Sequence, residues 1–149
     1  MEHIKKISLT ILAVMIWCAP AFADGGGKLI DAVLLDNSPT SVTSDTIRVA
    51  KANRVSFLAT YDETEVGNSV SAAVTVKGSW DNVTFYSLSF FDIAGGATLQ
   101  STETISADGG YFFWLNSAQP VPYIQVIITG INTDIDDTAL VSVNYYTQN

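Results

Sequence analysis

From Lys28 onward the chain alternates apolar and polar residues with a period of two, and nowhere in that stretch does it repeat with the period of a helix. Val70, Ala72, Val74 and Val76 alternate with Ser71, Ala73, Thr75 and Lys77. Ile124, Val126 and Ile128 alternate with Gln125, Ile127 and Thr129, and Val141, Val143 and Tyr145 with Ser142, Asn144 and Tyr146. β-Branched and aromatic residues fill these runs, as a pleated, half-buried surface favours. Turn chemistry separates them at Asn37-Ser38-Pro39, Ala52-Asn53, Glu65-Val66-Gly67-Asn68, Trp80-Asp81-Asn82, Gly95-Gly96, Asp108-Gly109-Gly110, Gln119-Pro120 and Asp134-Ile135-Asp136-Asp137. The pattern predicts about nine strands, at 28–35, 45–51, 54–61, 69–79, 82–91, 97–105, 110–115, 121–131 and 138–147. Many short strands with polar turns and no crossover helices imply an all-β antiparallel β-sandwich, either a jelly roll or an immunoglobulin-like Greek key. Tyr123–Ile131 holds no charged residue and is the expected free edge against which a neighbour could pair.

The first 23 residues read as a secretory signal peptide. Lys5 and Lys6 give the positive start, Ile7 to Trp17 the apolar run, and Ala21-Phe22-Ala23 the small-x-small cleavage signal. The apolar run is short for a membrane span and ends at Pro20. Trp17 stands before Cys18 where a lipoprotein signal has a small residue. The expected product is secreted, periplasmic or cell-surface, without membrane insertion after cleavage. It has a flexible glycine lead-in at 24–27 and one domain over 28–149.

The only histidine, His3, and the only cysteine, Cys18, lie in that leader. The expected product therefore lacks the imidazole and thiol that nucleophilic triads require and the usual zinc ligands. We expect no enzyme. A carboxylate pair is the one remaining catalytic option, with Asp62, Glu63, Glu65, Asp92 and Glu103 as material. The full chain carries 7 basic and 15 acidic residues; taking away Glu2, Lys5 and Lys6 leaves 5 and 14, a net charge of −9. Such a field repels nucleic acid. No cofactor is expected, and calcium is the metal the chain could hold. Asp134, Asp136 and Asp137 in one turn are the candidate ligands, set against the plainer role of capping backbone amides.

Trp80, Tyr111 and Trp114 are the candidate contacts for a partner. In Tyr111-Phe112-Phe113-Trp114-Leu115 neighbours point to opposite faces of a strand, so both faces of one sheet receive aromatic rings. Exposed rings on a sandwich serve protein docking, self-association or stacking on a polysaccharide.

Gly78-Ser79-Trp80-Asp81-Asn82-Val83-Thr84-Phe85-Tyr86-Ser87-Leu88 resembles the strand–turn–strand segment G-S-x-D-x-x-x-F-Y-x-L of β-sandwich proteins from phage particles and bacterial surfaces. The resemblance implies a structural or adhesive role and transfers no functional residue. The expectation is a secreted, non-catalytic structural or adhesion/assembly protein, with a carbohydrate-binding module as the alternative.

Overall fold

The computed structural model describes residues 25–35, 41–63, 70–92, 99–116, 121–132 and 138–148. All regular elements among them are strands: β1 (Gly25–Leu35), β2 (Ser41–Thr43), β3 (Ile47–Arg48), β4 (Arg54–Glu63), β5 (Val70–Ser79), β6 (Tyr86–Ser87), β7 (Phe90–Asp92), β8 (Leu99–Gln100), β9 (Glu103–Ile105), β10 (Gly109–Leu115), β11 (Tyr123–Asn132) and β12 (Ala139–Gln148).

They form two antiparallel six-stranded sheets. One has the order β1-β12-β4-β10-β7-β8. The other runs β2-β11-β5-β6, with β3 also on β11 and β9 also on β5. The pairings nest: β1 with β12, β2 and β3 with β11, β4 with β10, β5 with β6 and β9. First pairs with last, second with next to last, and so inward, as if one long hairpin were rolled up. That is the jelly roll, and it decides between the two sandwich topologies the sequence left open.

Alternation builds the core. Val55, Phe57, Ala59 and Tyr61 of β4 point inward, as do Val141 and Val143 of β12 and Phe113 of β10. They meet Val70, Ala72, Val74, Val76, Ile124, Val126 and Ile128 of the opposite sheet in one cluster. Phe57, Phe113 and Phe90 stack in tilted pairs with ring centroids 5.8 and 5.2 Å apart. The buried Tyr61 hydroxyl donates to the Val70 carbonyl at 2.8 Å, tying the end of one sheet to the start of the other.

Twelve strands replace nine for local reasons. The 45–51 run is strand only at β3, and an unexpected β2 precedes it. Between them the buried Ser44 hydroxyl takes the Val126 amide at 3.0 Å, so a side chain fills a rung of the ladder. The 82–91 run begins late, at Tyr86, and splits, because β6 pairs with β5 while β7 crosses to β10 in the other sheet. The 97–105 run splits the same way into β8 and β9.

Two further expectations need correction. Gly25–Gly27 are not a loose lead-in but pair with Thr147–Tyr145. A Cβ on Gly26 would lie 2.8 Å from the Tyr145 carbonyl oxygen, so the close approach requires glycine. Tyr123–Ile131 is not an edge: β11 lies between β2/β3 and β5. Its uncharged sequence reflects neighbours on both sides.

Candidate interaction surfaces

The outer face of the β1-β12-β4-β10-β7-β8 sheet carries the largest set of outward rings. The inward residues of β4 and β10 fix the opposite parity outward: Arg54, Ser56, Leu58 and Thr60 on β4, Phe112 and Trp114 on β10. On β7, Phe90 is buried and Phe91 faces out. Register then sets these side chains in rows. Tyr146 lies opposite Ser56, Ser56 opposite Trp114, Trp114 opposite Phe91, and Phe91 opposite Leu99. Directly opposed residues have Cβ atoms about 4.5–5.5 Å apart, so this row crosses five strands, roughly 19 Å at sheet spacing. A second row sets Asn144, Leu58 and Phe112 side by side.

The Phe91 and Trp114 rings are 5.9 Å apart, and the Arg54 guanidinium lies 5.6 Å from the Trp114 centroid. That arrangement is a cation–π contact, which fixes the ring and places a positive charge beside the middle of the row. Leu99, Phe112 and Tyr146 remain 49%, 37% and 39% exposed. The outer face of the other sheet is different in kind. Hydroxyl pairs cross it, Ser41 with Thr129 at 3.3 Å and Thr75 with Thr102 at 3.1 Å.

A second apolar surface is the turn between β5 and β6. One Asp81 carboxylate oxygen accepts from the Thr84 amide at 2.8 Å, the Val83 amide at 2.9 Å and the Ser79 hydroxyl at 2.9 Å. Those donors, the Thr84 amide foremost, hold its pKa down to about 2. Asn82 takes φ 60°, a left-handed conformation that asparagine tolerates. The turn so braced holds Trp80, Val83 and Tyr86 at 69%, 80% and 66% exposure.

The three candidate contact residues do not converge. Trp114 belongs to the outer-face row. Trp80 sits on the turn that leaves the other sheet. Tyr111 is turned inward against the core, and its hydroxyl is engaged with Ala107, donating to the carbonyl at 2.8 Å and accepting from the amide at 3.2 Å. Sequence reasoning passed over Arg54, Leu58, Phe91, Leu99, Phe112 and Tyr146 as a group. Their alternation was visible, but the register that aligns them was not.

The calcium candidates Asp134, Asp136 and Asp137 lie outside the described residues, as does Glu65. No group of three or more His, Cys, Asp or Glu able to hold a metal occurs among the described residues. Asp62 and Glu63 end β4, far along the strand from Asp92 and Glu103. Asp92, on β7, and Glu103, on β9, come from opposite sheets at the side where β6–β9 cross between them. Burial and then the charge of Asp92 raise the Glu103 pKa, against a hydrogen bond with Gln100.

No family model and no curated protein matches the chain. Among solved structures it is similar to the SPBc2 prophage-derived protein YomS at 12% identity, covering 81% of this chain and 91% of that one with a TM-score of 0.48. It is also similar to a chain of infectious bursal disease virus (Gx strain), at 12% identity, 85% and 34% coverage and TM-score 0.37. A third similarity is to the Glycosylation Associate Protein (Gap123) complex from Streptococcus agalactiae, at 12%, 85% and 41%, and 0.32. No specific family is shown, and these likenesses carry no assignment of activity or partner.

Proposed function

We propose that this chain is a non-catalytic structural or adhesion/assembly protein, exported by its leader, that associates with its own kind through the aromatic outer face of the β1-β12-β4-β10-β7-β8 sheet. The observation that carries this reading is the row Tyr146, Ser56, Trp114, Phe91 and Leu99, backed by Leu58 and Phe112. Aromatic residues and arginine are the types enriched at the centre of interfaces, and a contiguous apolar face on an exported protein is a surface to be covered. The rigid jelly roll beneath holds these rings in place at little entropic cost on docking.

Sedimentation of the purified chain tests it. Species larger than the monomer are expected, with or without calcium, and the Leu99→Ser/Phe112→Ser/Tyr146→Ser variant is expected to lose them. A wild-type chain that stays monomeric at high concentration contradicts the reading.

The braced turn supports a second reading, carbohydrate binding, because Trp80 offers an open ring on a fixed support. Retention on insoluble polysaccharide, lost in Trp80→Ala, would establish it; no retention removes it.

A further inference from the structure

Charge is sorted along the strands. At one end of the sandwich β3 passes into β4, β5 into β6, and the chain turns into β11. Arg48, Lys51 and Arg54 lie here, Lys77 lies two residues before the end of β5, and Asp45 and Asp81 at this end leave the cations in excess. The end is pinned by backbone hydrogen bonds from Val49 to Pro122 and from Asn53 to Gln148, both 2.8 Å. At the opposite end β4 finishes and β10 and β12 begin. Asp62, Glu63 and Asp108 lie there, and no Lys or Arg of the described residues does. Lys28, the remaining cation among the described residues, is level with Asn144, nearer the basic end, and is paired with Asp31 at 2.6 Å.

Arg48, Ala50 and Lys51 line a recess of about 400 Å³. The acidic end presents a braced turn: the Tyr111 hydroxyl holds Ala107, and Asp108 accepts the Glu63 amide at 2.7 Å.

A chain with a formal net charge of −8 repels its copies in most orientations. Gathering four of the five described cations toward one pole leaves one orientation attractive, that of basic end against acidic end. We propose that copies of this chain associate head to tail, the Arg48/Lys51/Arg54 end of one receiving the Asp62/Asp108 end of the next. The occupant is a second copy because the complementary charge is on the same molecule, at the opposite end of the same two-layered cross-section. A contact between two different surfaces is heterologous, and where its rotation does not close it propagates into a filament. The inference rests on the self-association reading and gives it a direction: the aromatic face joins copies side by side, and the poles join them end to end.

Charge reversal tests it. Arg48→Glu/Lys51→Glu makes both ends acidic, and Asp62→Lys/Asp108→Lys makes both basic. In sedimentation velocity at about 20 mM salt, where charges act over more than 20 Å, the wild type is expected to form end-to-end multimers that dissociate at about 0.5 M salt. Each reversed variant alone is expected to associate at least about tenfold more weakly, and the equimolar mixture to regain association. Circular dichroism checks the fold. If Asp108→Lys disturbs its turn, Asp62→Lys alone replaces the double variant. Salt-independent sedimentation of the wild type, or reversed variants that each associate as the wild type does, overturns the proposal. If that happens while Leu99→Ser/Phe112→Ser/Tyr146→Ser still dissociates the protein, the polar contact fails and the aromatic-face reading stands.

Discussion

Gly78 closes the basic end of the core, and Gly78→Ala tests how tightly. A Cβ there would lie 2.6 Å from Leu88 Cδ1, 2.7 Å from Val121 Cγ2 and 3.0 Å from Leu88 Cδ2. Ordinary contact begins at 3.4 Å, so both neighbours must retreat by most of an ångström. Neither has an easy retreat. Leu88 is buried and its amide is held by the Val76 carbonyl at 2.8 Å, and Val121 packs against the core. Overpacking of this kind costs about 1–3 kcal/mol, offset by about 0.4–1 kcal/mol from the reduced freedom of the unfolded chain. At the midpoints of those ranges the net loss is about 1.3 kcal/mol, or roughly 3–6 °C in Tm for a chain this long. Leu88→Ala alone should cost about 2–5 kcal/mol through its cavity. Combined with Gly78→Ala it should cost less than the sum by at least about 0.5 kcal/mol, because the new methyl fills part of the space. Urea unfolding followed by tryptophan fluorescence reads all four proteins at constant m-value. A neutral or stabilising Gly78→Ala, or strict additivity in the pair, refutes the reasoning.

Phe113→Ala removes the middle ring of the Phe57–Phe113–Phe90 stack and should cost about 3–5 kcal/mol in urea unfolding, one of the largest single losses in the protein. Asp81 has a folded pKa near 2, below its ordinary 3.8, so its contribution is present above pH 3.8 and is lost as pH falls through about 2. Amide exchange at Val83 and Thr84 should accelerate over that interval, and Asp81→Ala should show the faster exchange already at neutral pH. Glu103 has the opposite sign: its raised pKa means the folded state keeps the proton longer, so stability is greatest below about 4.5 and falls as pH rises through the raised value. Glu103→Gln should match the wild type in urea midpoint at pH 4 and exceed it at pH 7.

The long strands were legible from the sequence almost to the residue. Alternation gave 54–61 for β4, 69–79 for β5, 121–131 for β11 and 138–147 for β12, each within about two residues of the observed bounds. Strands fail to be legible where side chains compete for the backbone. Asp81 takes the Val83 and Thr84 amides, which delays the next strand to Tyr86, and Ser44 replaces a rung between β2 and β3. Gly25–Gly27 have no side chains to alternate, so their pairing left no periodic signal. Strand order was not legible, because β1 and β12 meet across more than 100 residues of chain.

The same limit governs the surfaces. Trp80 in a polar turn could be read as exposed from its position. Tyr111, Phe112, Phe113 and Trp114 could be assigned to two faces but not to inside and outside. Only packing against Phe57 and Phe90 makes the Phe113 parity the inner one. Tyr146, Phe91 and Leu99 then join Trp114 through register alone.

Hydroxyl-radical footprinting of the protein, dilute and concentrated, addresses the aromatic face most directly. At about 0.5 M salt, which releases the end-to-end contact, protection on association should fall on Phe91, Leu99, Phe112, Trp114 and Tyr146 while Trp80 and Tyr86 stay reactive. Unchanged labelling at those five residues in an associated sample, with protection moved to Tyr123 and Ile131 of the other sheet, would contradict it.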